Sequence, residues 1–112
     1  MLFNFTNKIF IIAEIGHNHQ GNIDNAFELI KQAKQCGADA VKLQKRDNKK
    51  LYTKAFYNSK YDHENSYGDT YGKHREFLEF DMTQYKELQA YAKDLKIDFF
   101  ATPFDLPSIE FL

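Results

Sequence analysis

The chain has 112 residues, of which 43% are hydrophobic and 28% charged, enough apolar content for a packed core and too much for a disordered polypeptide. Its 15 basic and 16 acidic residues leave a formal net charge of −1, which gives no electrostatic reason to expect a nucleic-acid or anionic-membrane partner. Cys36 is the only cysteine, so an intrachain disulfide and a cysteine-rich zinc site are excluded, and a cytoplasmic location is the expectation.

Residues 1–12 contain an apolar patch broken by Asn4, Thr6, Asn7 and Lys8. It lacks a long apolar stretch and a small-residue cleavage site, so it does not read as a secretory signal. No run approaches the length of a membrane span.

Ile9-Phe10-Ile11-Ile12-Ala13 is a continuous apolar run rich in β-branched residues, which predicts a strand buried on both faces, as in a parallel sheet. The polar stretch that follows, with Gly16 and Gly21, reads as a loop. Ile23, Phe27, Ile30 and Ala33 then recur at helical spacing, with Asn22 or Asp24 available as the cap and Gly37 as the residue just past the end. Ala38 to Gln44 predicts a second short strand. The opening is therefore β-loop-α-β, the unit that builds parallel sheets.

Residues 45–80 are polar, rich in Tyr, Lys, Asn and Asp, and show no clean period. A connection this long in a compact domain is either a binding loop or a solvated insertion; a short helix at Lys73–Phe80 is the one element expected there. Regularity returns at Asp81, which with Gln84 has the spacing of a capping box. Tyr85, Leu88, Tyr91 or Ala92, and Leu95 share a helical face, and Ile97 to Thr102 predicts a third strand. Pro107 suits the first turn of a further helix, with Asp105 near its cap.

Three strands alternating with helices indicate an α/β fold with a parallel sheet. A complete (β/α)₈ barrel needs roughly 250 residues. The pattern therefore predicts the N-terminal portion of such a barrel, with a small self-contained α/β domain as the alternative.

In parallel α/β folds the reactive groups gather at the C-terminal ends of the strands. Strand one delivers Glu14, then His17, Asn18 and His19. Strand two delivers Lys42 and Gln44, alternate residues that face the same way, and strand three delivers Thr102. A lysine inside Ala-Val-Lys-Leu-Gln is costly unless it meets an anion or a carboxylate. Lys42 is then either paired with Glu14 or an anion hook for a phosphate or carboxylate. The histidines admit a divalent-metal reading, as in a barrel hydrolase using His17 and His19. Side chains two apart on an extended chain face opposite ways, so both ligate only if the backbone turns. A nuclease reading of His-Asn-His lacks the basic surface that would accompany it.

Three stretches carry a resemblance. Ile-Ile-Ala-Glu-Ile-Gly-His-Asn-His-Gln-Gly (11–21), Gly-Ala-Asp-Ala-Val-Lys-Leu-Gln (37–44) and Phe-Phe-Ala-Thr-Pro-Phe-Asp (99–105) together resemble the sialic acid synthase family, the N-acetylneuraminate synthases and their legionaminate and pseudaminate relatives. The likeness runs from Ile9 to Leu112, in the family's order and spacing. It implies a (β/α)₈ barrel followed by an antifreeze-like domain, with residues 1–112 as the N-terminal part of the barrel, in a homodimer. The implied reaction condenses phosphoenolpyruvate with an N-acetylated amino sugar, N-acetylmannosamine by default, and releases phosphate. It also implies a divalent metal, Mn²⁺ or Mg²⁺, whose ligands lie outside this chain. By position, Lys42 matches the family's phosphoenolpyruvate-binding lysine and Thr102 a second residue at that ligand. Gln44 and Asn65 match residues near the sugar, and Glu14 matches the acid that ends the first strand and orients substrate or Lys42. Tyr71-Gly72-Lys73-His74-Arg75 resembles a loop motif of some members and receives no role. A non-catalytic sugar-phosphate binding module remains the third reading.

Overall fold

The computed structural model describes residues 8–112. Asn4, Thr6 and Asn7, on which part of the reading of the N-terminal patch rests, lie outside the described residues. Three strands, β1 (Ile12–Gly16), β2 (Ala40–Lys45) and β3 (Asp98–Pro103), form one parallel sheet in the order β1-β2-β3. Helix α1 (Ile23–Gln35) crosses from β1 to β2. Between β2 and β3 come α2 (Asn48–Leu51), α3 (Lys54–Tyr57), α4 (Tyr71–Phe77) and α5 (Met82–Asp94), and α6 (Leu106–Phe111) follows β3.

One face of the sheet carries the core. Ile15, Val41 and Leu43 point to it and meet Ala26 and Ile30 from α1 and Tyr85, Leu88 and Ala92 from α5. These helix residues fall three or four apart, the spacing that puts an apolar stripe on one side of a helix. Burying an Ile or Leu side chain completely contributes roughly 1.5–3 kcal/mol, so this face holds the sheet to its two long helices. Strand alternation sends Glu14, Lys42, Gln44 and Thr102 to the opposite face. That face has no helix on it among the described residues, and Lys42 and Gln44 are only partly buried.

The first strand starts three residues later than its apolar run suggests. Ile9 and Ile11 are 79% and 50% exposed, because pairing begins only where β2 begins, at Ile12 beside Ala40. The Ile11 carbonyl instead accepts from the Asp39 and Ala40 amides, and the Asp39 carboxylate accepts from the Ile11 amide at 2.8 Å. Apolarity marks the segment but not its partner. The expectation that β1 is buried on both faces is corrected accordingly, since Ile12 is itself 45% exposed.

α1, β2, α5 and β3 lie within two residues of their expected bounds, with Asn22 as the cap of α1 and the Asp81–Gln84 capping box intact. Gly37 takes φ +89°, the left-handed conformation that ends α1 without a Cβ clash. Segment 45–80 is more structured than its composition suggests. It folds into an arm of three short helices closed by an antiparallel bridge between Lys60 and Thr70. Asp47, Thr53 and Thr70 each cap one of these helices through a side-chain oxygen. The arm's helix α4 covers Tyr71–Phe77, slightly before the expected 73–80.

Candidate functional site at the C-terminal ends of the strands

The sheet register sets the site. Glu14 pairs with Lys42 across β1 and β2, and Gln44 pairs with Thr102 across β2 and β3. Neighbours in register on parallel strands put their side chains on the same face, so these four project together. Beyond Glu14 the register slips by one residue, which removes Ile15 from the ladder and returns β1 to register at Gly16 beside Leu43. Such a bulge re-aims the end of a strand.

Glu14 organises the group. Its Oε1 accepts a hydrogen bond from Gln44 Nε2 at 2.9 Å, and its Oε2 lies 3.4 Å from Lys42 Nζ. The ion-pair reading of Lys42 is therefore realised. The side chains of Lys42 and Glu14 are 31% and 42% exposed, and a pair this open stabilises the fold by no more than about 1 kcal/mol. Its main consequence is orientation: the ammonium is held at the strand end, partly open, with donors to spare. Thr102 is partly buried beside Gln44. Asn65 is exposed in a turn of the arm and shares no hydrogen bond with Glu14, Lys42, Gln44 or Thr102, so the four rim residues are brought together and Asn65 is not.

The two histidines have separate roles. His19 is 1% exposed, stacks on Phe80 with ring centroids 4.1 Å apart, and accepts the Gly21 amide at Nδ1. Burial, with His17 nearby, lowers its pKa to about 4, so it is neutral at ordinary pH. His17 faces a different group. Its Nδ1 lies 3.3 Å from Arg46 Nη1 and 3.4 Å from Arg75 Nη1. Guanidinium nitrogens only donate, so Nδ1 is the acceptor and the ring proton sits on Nε2. That Nε2 lies 3.4 Å from Glu79 Oε1, close enough for attraction but not aligned as a hydrogen bond. Glu79 Oε2 also meets Lys45 Nζ at 3.1 Å. Burial pushes the Glu79 carboxyl up, but His17 and Lys45 outweigh it and leave the group below its usual range.

Two cations of this second cluster were not apparent from the motifs. Lys45 ends β2 and Arg46 follows it directly, continuing the alternation Lys42, Gln44, Arg46, which is the signal that would have found it. Its guanidinium stacks 3.7 Å above the Phe104 ring. Among the described residues no three His, Cys, Asp or Glu side chains gather to hold a metal ion, and His17 and His19 do not converge on one point. The hydrolase reading based on them is not supported by the geometry. A separate cleft of about 340 Å³, lined by Met82, Tyr85, Lys86, Gln89, Phe99 and Phe111 among others, contains none of the four rim residues.

The profile of the NeuB family matches residues 29–112. The chain belongs to the NeuB family. The N-acetylneuraminate-9-phosphate synthase of Mus musculus is 48% identical over 103 residues, covering 92% of this chain and 29% of that protein. The N,N'-diacetyllegionaminic acid synthase of Campylobacter jejuni is 37% identical over 106 residues, covering 94% of this chain and 32% of that protein. The crystal structure of an N-acetylneuraminic acid synthetase from Leptospira borgpetersenii superposes with a TM-score of 0.72 at 29% identity, over 95% of this chain and 33% of that one. The three βα units of this NeuB chain thus correspond to about three-tenths of the length of these relatives.

Proposed function

We propose that the chain works as the N-terminal part of a (β/α)₈-barrel synthase that condenses phosphoenolpyruvate with an N-acylated amino sugar and releases phosphate. The observation that carries this reading is the Glu14-Lys42-Gln44 group, a partly open ammonium oriented by a carboxylate at the C-terminal end of a parallel sheet. Lys42 binds an anionic oxygen of phosphoenolpyruvate, and the Thr102 hydroxyl donates to another; charge-assisted hydrogen bonds of this kind are the strong ones. Glu14 keeps the Lys42 side chain extended before substrate arrives, so less ordering is needed on binding. Gln44, one step toward the rim, presents its amide to the sugar. The names of the relatives, synthases of sialic and legionaminic acids, support this substrate class.

The chemistry joins C3 of phosphoenolpyruvate to the aldehyde carbon of the open-chain sugar. Water adds at C2, and the C–O bond to phosphate breaks. A divalent metal, Mn²⁺ or Mg²⁺, would take its ligands from outside these residues, and the described side chains supply no set for it. The rest of the barrel, an antifreeze-like domain, a homodimeric assembly and a cytoplasmic location belong to the same proposal. Among the described residues no helix is long and apolar enough to cross a membrane.

The test is phosphate release from phosphoenolpyruvate by the full-length polypeptide with Mn²⁺ and N-acetylmannosamine or its phosphorylated or diamino analogues. Sugar-dependent release that disappears in Lys42→Ala is the expected result. No release with any amino sugar would sink the reading.

A further inference from the structure

Helix α5 and the residues leading into it reach the strand that carries Lys42 and Gln44 from its helix face. Among the described residues, Tyr85 is the only member of the buried cluster whose side chain carries a polar group. Its ring packs edge-on against Phe99 and Phe111, and its hydroxyl donates to the Gln44 carbonyl at 3.2 Å. A phenylalanine would fill the same space with no hydroxyl to desolvate, so packing alone does not account for a tyrosine here. Burial pushes the Tyr85 phenol up, so it keeps its proton and donates at any ordinary pH.

The bond falls where β2 loses support. β1 pairs with β2 only as far as Leu43, so Gln44 and Lys45 run past its end with β3 alone beside them. The β3 neighbour of Lys45 is Pro103, which has no amide to give. Side chains from the helix face meet this stretch instead. Besides the Tyr85 bond, Lys45 Nζ lies 3.1 Å from Glu79 Oε2 and donates to the Phe80 carbonyl at 3.0 Å. Glu79 Oε2 also accepts from the Arg46 amide at 3.4 Å. Strand alternation allows this, since it sends Lys45 to the helix face while Gln44 turns to the open one. Phe80 and Tyr85 flank the Asp81–Gln84 capping box, so the bracing groups sit on a capped helix start.

We propose that Tyr85, with the Lys45–Glu79 pair, is the positioning device that sets the Gln44 amide for the sugar. This rests on the synthase reading above and adds to it residues that touch neither substrate. The Tyr85 bond fixes the peptide plane between Gln44 and Lys45, and with it the direction in which the Gln44 side chain leaves the strand. On the open face, Glu14 Oε1 accepts from Gln44 Nε2 at 2.9 Å. Gln44 is thus held by its main chain from one side of the sheet and by its side chain from the other. A misplacement of about 1 Å at such a residue is enough to slow a reaction. Lys42 lies where β1 still pairs and is held by Glu14, so it does not depend on this brace.

The experiment compares Tyr85→Phe with wild type in the full-length polypeptide, because that variant removes one hydroxyl and keeps the ring in the core. Hydrogen exchange followed by mass spectrometry reads the brace itself. Peptides covering residues 44–47 should exchange about three- to tenfold faster in the variant, with those from α1 unchanged. Phosphate release from phosphoenolpyruvate with Mn²⁺ and N-acetylmannosamine or its phosphorylated or diamino analogues reads the consequence. KM for the sugar should rise about three- to tenfold while KM for phosphoenolpyruvate stays the same. The sugar effect should vanish in a Gln44→Ala background, because the brace acts through that side chain. Glu79→Gln should shift exchange and sugar KM in the same direction. Unchanged exchange at residues 44–47 would overturn the brace. So would a loss that falls equally on both substrates, or one that persists without the Gln44 side chain. A wild type that releases no phosphate with any amino sugar would count against the synthase reading alone, and the exchange would still decide the brace.

Discussion

At the scale of single residues, burial separates two histidines that the sequence places two apart. His17 sits among charged groups and is a hydrogen-bond acceptor for arginines, whereas His19 is packed against Phe80 and bonded by Gly21. His19 has a folded pKa of about 4 against 6.5 for a free imidazole. Its folded value is depressed, so the unfolded chain takes up the proton first. The stability this gives is fully present above pH 6.5, declines as pH falls toward 4, and changes no further below that. A fall from 6.5 to about 4 corresponds to about 3 kcal/mol. Thermal unfolding of wild type and His19→Asn at pH 7 and pH 4.5 measures it. The wild type should lose more stability on acidification than the variant, because the remaining titrating groups are common to both. Equal losses would show that His19 titrates normally.

At the scale of elements, all six helices among the described residues begin with a side-chain cap, from Asn22, Asp47, Thr53, Thr70, Asp81 and Asp105. Replacing Asp81 by alanine breaks the capping box of α5 and should cost about 1 kcal/mol, read as a lower denaturant midpoint with unchanged m-value. The arm depends on closeness more than on caps. A Cβ on Gly72 would run into the Tyr57 ring, so α4 and α3 approach only because residue 72 is glycine. Gly72→Ala should cost about 1–3 kcal/mol and loosen residues 54–77 to proteolysis while the sheet stays intact. Cleavage no faster than wild type would mean that the helices part at little cost. The same elements show what a sequence can reveal. α1, β2, α5 and β3 were legible because a 13-residue helix or a buried strand repeats its pattern long enough to be read. The four-residue helices α2 and α3 have no period, and only their caps mark them. Glu14, Lys42, Gln44 and Thr102 were legible because strand alternation puts them at known ends. The clamp on His17 was not, since it joins residues 17, 46 and 75 through tertiary contacts that no local spacing encodes.

At the scale of the whole molecule, the sheet order β1-β2-β3 leaves β2 hydrogen-bonded on both sides, while β1 and β3 each pair on one side among the described residues. Apolar residues are exposed along the same boundaries: Ile12 on β1, and Leu106, Ile109 and Leu112 at 76%, 57% and 51% around α6. A parallel sheet is stable when both faces are covered and its edges are paired or protected. Local opening follows the same logic, because an amide exchanges from whichever opening exposes it at least cost. In the isolated 112-residue chain, Val41, Leu43 and their β2 neighbours should therefore exchange slowest, with the β1 and β3 amides faster. The exposed apolar groups should also make the isolated chain self-associate, seen as a concentration-dependent sedimentation coefficient. In the complete barrel of the proposal above, further strands would occupy both edges, so β1 and β3 should approach the protection of β2 and the association should weaken. Hydrogen exchange followed by mass spectrometry on both forms decides the matter. Equal protection of all three strands in the isolated chain would mean that the edges are already covered. The open face that bears Lys42 and Gln44 would then be a finished surface and not one wall of a barrel.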